Sequence, residues 1–359
     1  MENKGKKGKV VVAMSGGVDS SLAAILLKKQ GYDVVGVTLK LVNGSRCCDI
    51  EAVEHAKEVC RRVGIPHYVF DVSKEFGEIV IGYFMSELAA ARTPNPCVIC
   101  NRFLKFDQLF KIAKKLGVAK VATGHYARIC KSKNGVWELK KGLDRKKDQS
   151  YYLCFLKQDW LKKILFPIGK YNKSEIYKLA GKEGLDFLVT KKQSQDLCFV
   201  DDKLRQQFVG RHLKDRPGEI IDVDGKILGR HDGIHNYTIG QRKGLLIPGG
   251  PYFVVGFNTA RNQVMVSKSS DDPLLFNKIV KLSKINFVSG AISSDCEVMA
   301  KIRYQQPLAS AVLKISGRMG QTAGRGAILE FKTPQRAVTK GQIAVFYRGE
   351  KCLGGGIIK

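Results

Sequence analysis

Apolar residues over the first two hundred positions fall into short β-rich runs alternating with stretches of helical period. Val10–Met14 reads as a buried strand, Ser20–Lys29 as a helix ended by Gly31, and Val34–Leu41 as a second strand. Ile50–Val63 is helical with Gly64 behind it, and His67–Val72 is a third strand. Glu75–Arg92 and Phe106–Leu116 read as helices, Lys120–Thr123 as a strand, and Lys173–Glu183 as a helix with Gly184 beyond its end. Strands alternating with helices predict parallel βαβ units covered on both faces. The expected fold class is α/β, with a Rossmann-like parallel-sheet domain over residues 1–205.

The texture changes after about Asp202. Asp215-Arg-Pro-Gly218, Asp224-Gly225, Gly229, Gly233, Gly240, Gly244 and Pro248-Gly-Gly-Pro251 punctuate short runs such as Glu219–Val223 and Tyr252–Phe257. Such spacing predicts a small, mostly β central domain, 206–272. Val298–Tyr304, Ala311–Ile315, Ala327–Phe331 and Ile343–Tyr347 follow, separated by Gly-rich turns, so a C-terminal β-barrel is expected over 273–359.

Charge changes the picture from a fold to a partner. The 359 residues hold 61 Lys+Arg against 33 Asp+Glu, a formal charge of +28. An excess of this size points to a polyanion, with nucleic acid ahead of membrane because no basic amphipathic helix stands out. No apolar run approaches the ~20 residues that span a bilayer. The basic start is followed only by Val10–Met14, too short for a signal peptide, so a cytoplasmic protein is expected. Ten cysteines in a reducing compartment argue for catalytic or metal-binding thiols over structural disulfides.

The densest chemistry lies in Val10-Val-Val-Ala-Met-Ser-Gly-Gly-Val-Asp-Ser-Ser21, where a buried strand ends in a glycine pair and enters a helix. Gly16 and Gly17 allow close backbone approach, and successive N–H groups at a helix start form an anion-binding concavity. Ser15, Ser20 and Ser21 add hydroxyl donors, while Asp19 is placed to cap the helix or to hold Mg²⁺. The pattern Ser-Gly-Gly-x-Asp-Ser resembles the PP-loop of ATP pyrophosphatases. In that superfamily the loop grips pyrophosphate while ATP is cut between its α and β phosphates and the substrate receives an adenylate.

A second cluster narrows the substrate. Arg92-Thr-Pro-Asn-Pro-Cys-Val-Ile-Cys-Asn-Arg-Phe-Leu-Lys-Phe106 sets Cys100 after a proline-stiffened turn, at the expected start of a helix, near Arg102 and Lys105. A helix terminus and neighbouring cations favour the thiolate. Cys198 lies in Gln193-Ser-Gln-Asp-Leu-Cys-Phe-Val200. In order, the segments Ser15–Ser20, Thr93–Phe106, Thr123–Ala127, Lys147–Leu153, Ser194–Val200 and Gly240–Gly244 resemble the tRNA-specific 2-thiouridylase (MnmA) family over essentially the whole chain.

That resemblance implies sulfur transfer onto the wobble uridine of tRNA. ATP adenylates the oxygen on C2 of the base, and sulfur displaces AMP, giving 2-thiouridine with release of pyrophosphate. Cys198 matches the family's persulfide-carrying cysteine and Cys100 the thiol that attacks it. A transient Cys100–Cys198 disulfide would close the cycle and need reduction. ATP and Mg²⁺ are the implied cofactors. The partners are the anticodon arm of tRNA and a sulfur donor, either a cysteine desulfurase or a relay protein, with the enzyme expected to be a monomer.

By the same match Ala13, Met14, Ser15, Gly16, Gly17, Val18, Asp19 and Ser20 form the nucleotide loop. Leu39 and Gly124 sit at the ends of neighbouring strands, where open parallel sheets bind ligands. Asn95, Pro96 and Cys97 correspond to the loop that meets the target base. His125, Lys147, Asp148, Gln149, Arg303, Tyr304 and Gln342 fall on tRNA-contacting positions, with Arg303–Tyr304 as a phosphate clamp and stacking pair. Gly240–Gly244 is a basic turn suited to phosphate. A His capping a strand end, and solvent-side placement of Arg303–Tyr304, are the structural alternatives.

One position departs from the family. Cys97 stands where an Asp is proposed as an acid–base group, and a thiol has the higher reference pKa, ~8.5 against ~3.9. It also makes Cys97-x-x-Cys100, which with Cys198 offers three thiolates to an iron–sulfur cluster, the less favoured arrangement. No dedicated protein metal site is assigned, a zinc site with Cys47 or Cys48 being disfavoured for want of a second C-x-x-C. Cys60, Cys130, Cys154, Cys296 and Cys352 read as small buried hydrophobes.

Overall fold

The computed structural model describes residues 7–41, 50–189, 198–200, 205–290, 292, 294–316 and 326–359. Cys47, Cys48 and the 194–197 part of the Cys198 segment lie outside the described residues. The N-terminal domain is a five-stranded parallel sheet in the order β3-β2-β1-β4-β7. Its strands are β1 (Lys9–Ala13), β2 (Asp33–Lys40), β3 (His67–Asp71), β4 (Lys120–Ala122) and β7 (Ile164–Leu165). Central β1 carries Val10, Val11 and Val12, all wholly buried, because helices cover both faces of a parallel sheet. Helix α1 (Val18–Lys29) follows β1 directly and ends in Lys28 and Lys29, cations that complement its C-terminal dipole.

The order of this sheet positions the site. The chain runs outward from β1 through β2 to β3, then returns to the other side of β1 with β4. Strand order therefore reverses between β1 and β4, where a crevice opens beyond the carboxyl ends of the strands. Ala13–Met14 and Thr123–Gly124 flank it.

Two helices differ from expectation. The one expected to start at 106 starts at Pro96 and runs to 115, with π-helical geometry over Cys100–Lys105. Asn95 is its N-cap, its side chain accepting from the Val98 N–H, and Pro96 occupies the first helical position, where no donor is lost. The prolines that read as a turn are thus the helix start. The preceding helix, 73–89, also holds a π turn, Gly77–Ile81. Widened turns of this kind recur at functional sites.

The hairpin β5 (Ala127–Lys131) and β6 (Trp137–Lys141) was not anticipated. It leaves the N-terminal sheet and joins the C-terminal one, β6 pairing with β17 (Lys351–Ile358) through Lys140–Lys351 and Leu139–Cys352. The central domain is a four-stranded sheet of β8 (Gly218–Asp222), β9 (Ile227–His231), β10 (Phe253–Asn258) and β11 (Gln263–Ser267), ordered β10-β11-β8-β9. The C-terminal domain closes on itself as β12-β15-β14-β13-β16-β17, with β17 returning to pair β12. Its remaining strands are β12 (Phe276–Asn286), β13 (Cys296–Lys301), β14 (Ala309–Ser316), β15 (Gly326–Arg336) and β16 (Ile343–Arg348). Closure leaves no free edge in the ring. A parallel-sheet domain, a small β domain and a closed six-stranded barrel are the expected fold class.

Candidate active site

A cleft of about 1050 Å³ opens at the β1/β4 switch and is walled by all three domains. Ala13, Met14, Ser15, Gly16, Gly17, Val18, Asp19 and Ser20 line one end, with Leu39 and Gly124 beside them. Ser20 organises this loop: its hydroxyl donates to the Gly17 carbonyl at 3.0 Å and accepts from the Ser15 N–H at 3.1 Å. Ser21 is fully buried, donating to the same carbonyl at 3.0 Å, so it serves the loop's shape and does not reach the cleft.

The glycines have separable causes. Gly16 has φ +71°, and a Cβ there would stand 2.2 Å from the Ala52 carbonyl oxygen. A Cβ on Gly124 would lie 2.7 Å from the Asp19–Ser20 backbone, so the end of β4 abuts the start of α1. Gly17 has extended backbone, and its added Cβ would meet only Ser15 Oγ at 3.9 Å. We therefore expect Gly16→Ala to lower stability by about 2 kcal/mol or more. Gly17→Ala should melt like the unsubstituted protein yet bind ATP about tenfold more weakly, because its methyl invades only the space offered to phosphate. Thermal melts paired with ATP titration separate the two.

Asp19 neither caps α1, which has no side-chain cap, nor stands alone. Lys173 Nζ, at the start of helix Lys173–Lys182, donates to both its carboxylate oxygens at 2.7 and 2.8 Å. Tyr126 Oη donates to Asp19 Oδ1 at 2.7 Å. Asp19 is the single acidic residue in the described cleft wall, and its carboxylate is already paired. Lys173 escaped the sequence reading, because its partner is 154 residues away and no local pattern marks the pair.

Cys100 and Cys198 line this same cleft, brought there from the middle and the end of the N-terminal domain. Cys100 is buried in the π turn and Cys198 is half-buried; every described cysteine is a thiol rather than a disulfide. Phe199 anchors Cys198, its ring meeting Phe84 at 5.4 Å, Phe76 at 5.7 Å and Phe208 at 5.8 Å. Phe199→Ala should leave ATP consumption unchanged and slow sulfur transfer about tenfold by loosening the thiol's placement, with Phe199→Leu largely restoring it. Single-turnover formation of thiolated tRNA measures both.

Cys97 lies in the first turn of the 96–115 helix, half-buried and outside the cleft wall. Among the described residues no three His, Cys, Asp or Glu side chains are placed to hold a metal ion. Of the cysteines read as hydrophobes, Cys60, Cys154 and Cys352 are buried, whereas Cys130 and Cys296 are half-buried on strands.

The residues matched to tRNA divide. Asn95, His125, Lys147, Gln149, Arg303, Tyr304 and Gln342 line the cleft, with Lys105 and Lys146 adding positive charge. Pro96 and Asp148 do not. Asp148 is buried, accepting from the Gly142 N–H at 2.9 Å and from Ser150 through both N–H and Oγ, so its carboxylate shapes the loop instead of facing a polyanion. His125 shares a 2.6 Å hydrogen bond with Thr123 Oγ1 and stacks on Phe106. Burial, with the Lys105 charge as a lesser cause, holds it well below the usual imidazole range, hence neutral at pH 7.

Arg303 and Tyr304 sit in the turn after β13, not on a solvent-side strand face. Arg303 Nη2 donates to the carbonyls of Ile239 and Ala337 and to Thr339 Oγ1 at 2.8–3.0 Å, tying the barrel to the central domain. Much of its hydrogen bonding is thus internal, which alters the phosphate-clamp expectation. The Tyr304 ring meets that of Tyr152 at 4.5 Å, tilted by 36°. Gln342 Nε2 donates to the Thr93 and Pro94 carbonyls at 3.3 and 3.2 Å, and Thr93 Oγ1 lies 3.2 Å from Thr238 Oγ1. All three domains thereby grip the segment leading into the Cys100 helix. Arg242 and Lys243 are exposed on the 240–244 turn, away from the cleft wall.

Comparison with known proteins adds to this geometry. Residues 8–202 match the family model described as tRNA methyl transferase HUP domain, 206–268 its PRC-barrel domain, and 277–358 an aminomethyltransferase β-barrel domain. The chain is 44% identical to the tRNA-specific 2-thiouridylase MnmA of Carboxydothermus hydrogenoformans, covering 100% of this chain and 99% of the relative. It is 43% identical to that of Lachnoclostridium phytofermentans and 42% to that of Clostridium acetobutylicum, each over 98% of this chain and 99% of the relative. The chain belongs to the tRNA-specific 2-thiouridylase family. The phosphate loop, Cys100 and Cys198 of this chain converge on one cleft. Among the described residues no helix is long and apolar enough to cross a membrane.

Proposed function

We propose that the chain is an ATP-dependent tRNA 2-thiouridylase, a sulfurtransferase in which the cleft carries both half-reactions. The observation that supports this reading best is the meeting of the phosphate loop with Cys100 and Cys198 in one cavity. ATP binds with its phosphates against residues 13–20, where N–H groups and the α1 dipole favour anions. Mg²⁺ would arrive with the nucleotide and offset phosphate charge there, and Asp19 is the one carboxylate of the described cleft wall that would face it. The C2 oxygen of the wobble uridine attacks the α phosphorus, giving a C2-linked adenylate and pyrophosphate.

Cys198 carries the persulfide, loaded by a sulfur donor. Cys100 attacks it either at Cys198 Sγ, expelling hydrosulfide, or at the outer sulfur, taking that sulfur onto itself. The released hydrosulfide, or the terminal sulfur now on Cys100, then attacks C2 and AMP leaves; in the second route the Cys198 thiolate next attacks Cys100 Sγ and expels the 2-thiouridine sulfur. Both routes end with a Cys100–Cys198 disulfide, which two electrons from a thiol reductant reopen. The wobble base is unstacked and enters the cleft at modest cost, between the Asn95 loop and the Tyr152–Tyr304 pair. Incubation with ATP, Mg²⁺, a sulfur donor and unmodified tRNA, followed by mass spectrometry of the wobble nucleoside, tests the proposal: a gain of sulfur is expected, and AMP release without it would refute the assignment.

A further inference from the structure

Asn101 follows the attacking thiol directly, yet no step of the reaction as written uses it. The residue is 5% exposed and is absent from the cleft wall, whereas Cys100 before it lines the cleft. Its main-chain carbonyl accepts from the Phe106 N–H five residues on, a bond of π-helical span at the end of the turn Cys100–Lys105. Its side chain leaves that helix: Nδ2 donates to the Tyr152 carbonyl at 3.3 Å. Oδ1 is buried and has no hydrogen-bond partner among the described residues. Half of the amide is thus an unsatisfied buried acceptor, which costs stability, and the other half makes one long bond. Packing alone would favour an apolar residue of the same size here.

A residue kept at a cost in stability points to function. The π turn is a rare geometry, and an unanchored one is free to tighten into the α register, which carries Cys100 about 100° round the helix axis. The Asn101 amide ties this turn to the backbone of Tyr152, a residue that lines the cleft and whose ring meets that of Tyr304. We propose that Asn101 is a positioning residue for sulfur transfer: its bond to the Tyr152 carbonyl holds the widened turn in register, so that the Cys100 thiol and the Tyr152 ring keep one geometry. The proposal rests on the readings that Cys100 attacks the persulfide and that the base enters beside Tyr152. Asn101 has no contact with the phosphate loop, so adenylation should not depend on it.

Asn101→Leu separates positioning from stability, because it nearly keeps the volume while removing both the donor and the stranded acceptor. The full-length variant should melt at or above the temperature of the unsubstituted protein. At saturating tRNA its single-turnover thiolation should be about 30-fold slower, with the KM for tRNA and the rate of pyrophosphate release each within about twofold. Asn101→Ala, which loses the same bond but leaves a small cavity, should melt lower and yet show the same split between the two half-reactions. Thiolation by Asn101→Leu within about threefold of the parent overturns the proposal. So does a loss of thiolation matched by an equal loss of pyrophosphate release in both variants, the signature of a purely structural residue. Failure of the unsubstituted chain to thiolate tRNA would instead sink the sulfurtransferase reading, and this proposal with it.

Discussion

Serine at either Cys100 or Cys198 stops thiolation, by roughly three orders of magnitude or more, while pyrophosphate release in the presence of tRNA continues. The asymmetry follows from the division of labour in the cleft. On the proposed mechanism adenylation needs the loop at 13–20 and the base, whereas sulfur transfer additionally needs Cys100 and Cys198, which line the same cleft. A serine hydroxyl cannot carry a persulfide and is a far weaker nucleophile than a thiolate at neutral pH. In the unsubstituted enzyme, one turnover without reductant should leave a Cys100–Cys198 disulfide, detectable by peptide mapping, and neither variant can form it. Cys97→Ser should keep most of the activity, because Cys97 lies outside the cleft wall. Thiolation by Cys198→Ser at a normal rate would overturn the persulfide assignment. A Cys97→Ser enzyme as poor as Cys100→Ser would give Cys97 an acid–base role.

What the sequence made legible was set by how local each feature is. The strand–loop–helix at 10–29 could be read directly, because a run of buried valines, a glycine pair and a helical period follow one another without interruption. The 96–115 helix was read ten residues short. Asn95 and Pro96 are turn residues in most contexts, and only the Asn95–Val98 hydrogen bond makes them a cap. The β5–β6 hairpin was missed because its partner, β17, lies over two hundred residues later. Lys173 was invisible for the same reason. For Asp148 and Arg303 the family match supplied a position without its hydrogen bonds, and those bonds hold the protein to itself. Local periodicity fixes elements, whereas side-chain assignments depend on contacts between distant segments.

Affinity for tRNA should fall steeply with salt. The described cleft wall carries Lys105, Lys146, Lys147 and Arg303 against Asp19 alone, and Lys173 neutralises that carboxylate. Each phosphate neutralised releases condensed counterions and contributes roughly −0.7 to −0.9 to the slope of log K against log salt. With Arg303 engaged internally, the three lysines give a slope of about −2.4, or roughly a 30-fold loss between 50 and 200 mM salt. The +28 chain has further cations with which to steepen it. Two variants divide the interface by mechanism. Lys147→Ala removes one cleft-lining charge and should lower the slope by about one unit. Tyr304→Ala should weaken binding by roughly 1–3 kcal/mol with the slope unchanged, because stacking releases no counterions. Arg303→Met should behave differently from both: its guanidinium ties Ile239 to Ala337 and Thr339, so the loss should appear mainly in the melting temperature. Fluorescence anisotropy with an anticodon stem-loop gives the slopes. A flat salt profile, or a Lys147→Ala slope equal to the parent's, would place the tRNA backbone somewhere other than this cleft.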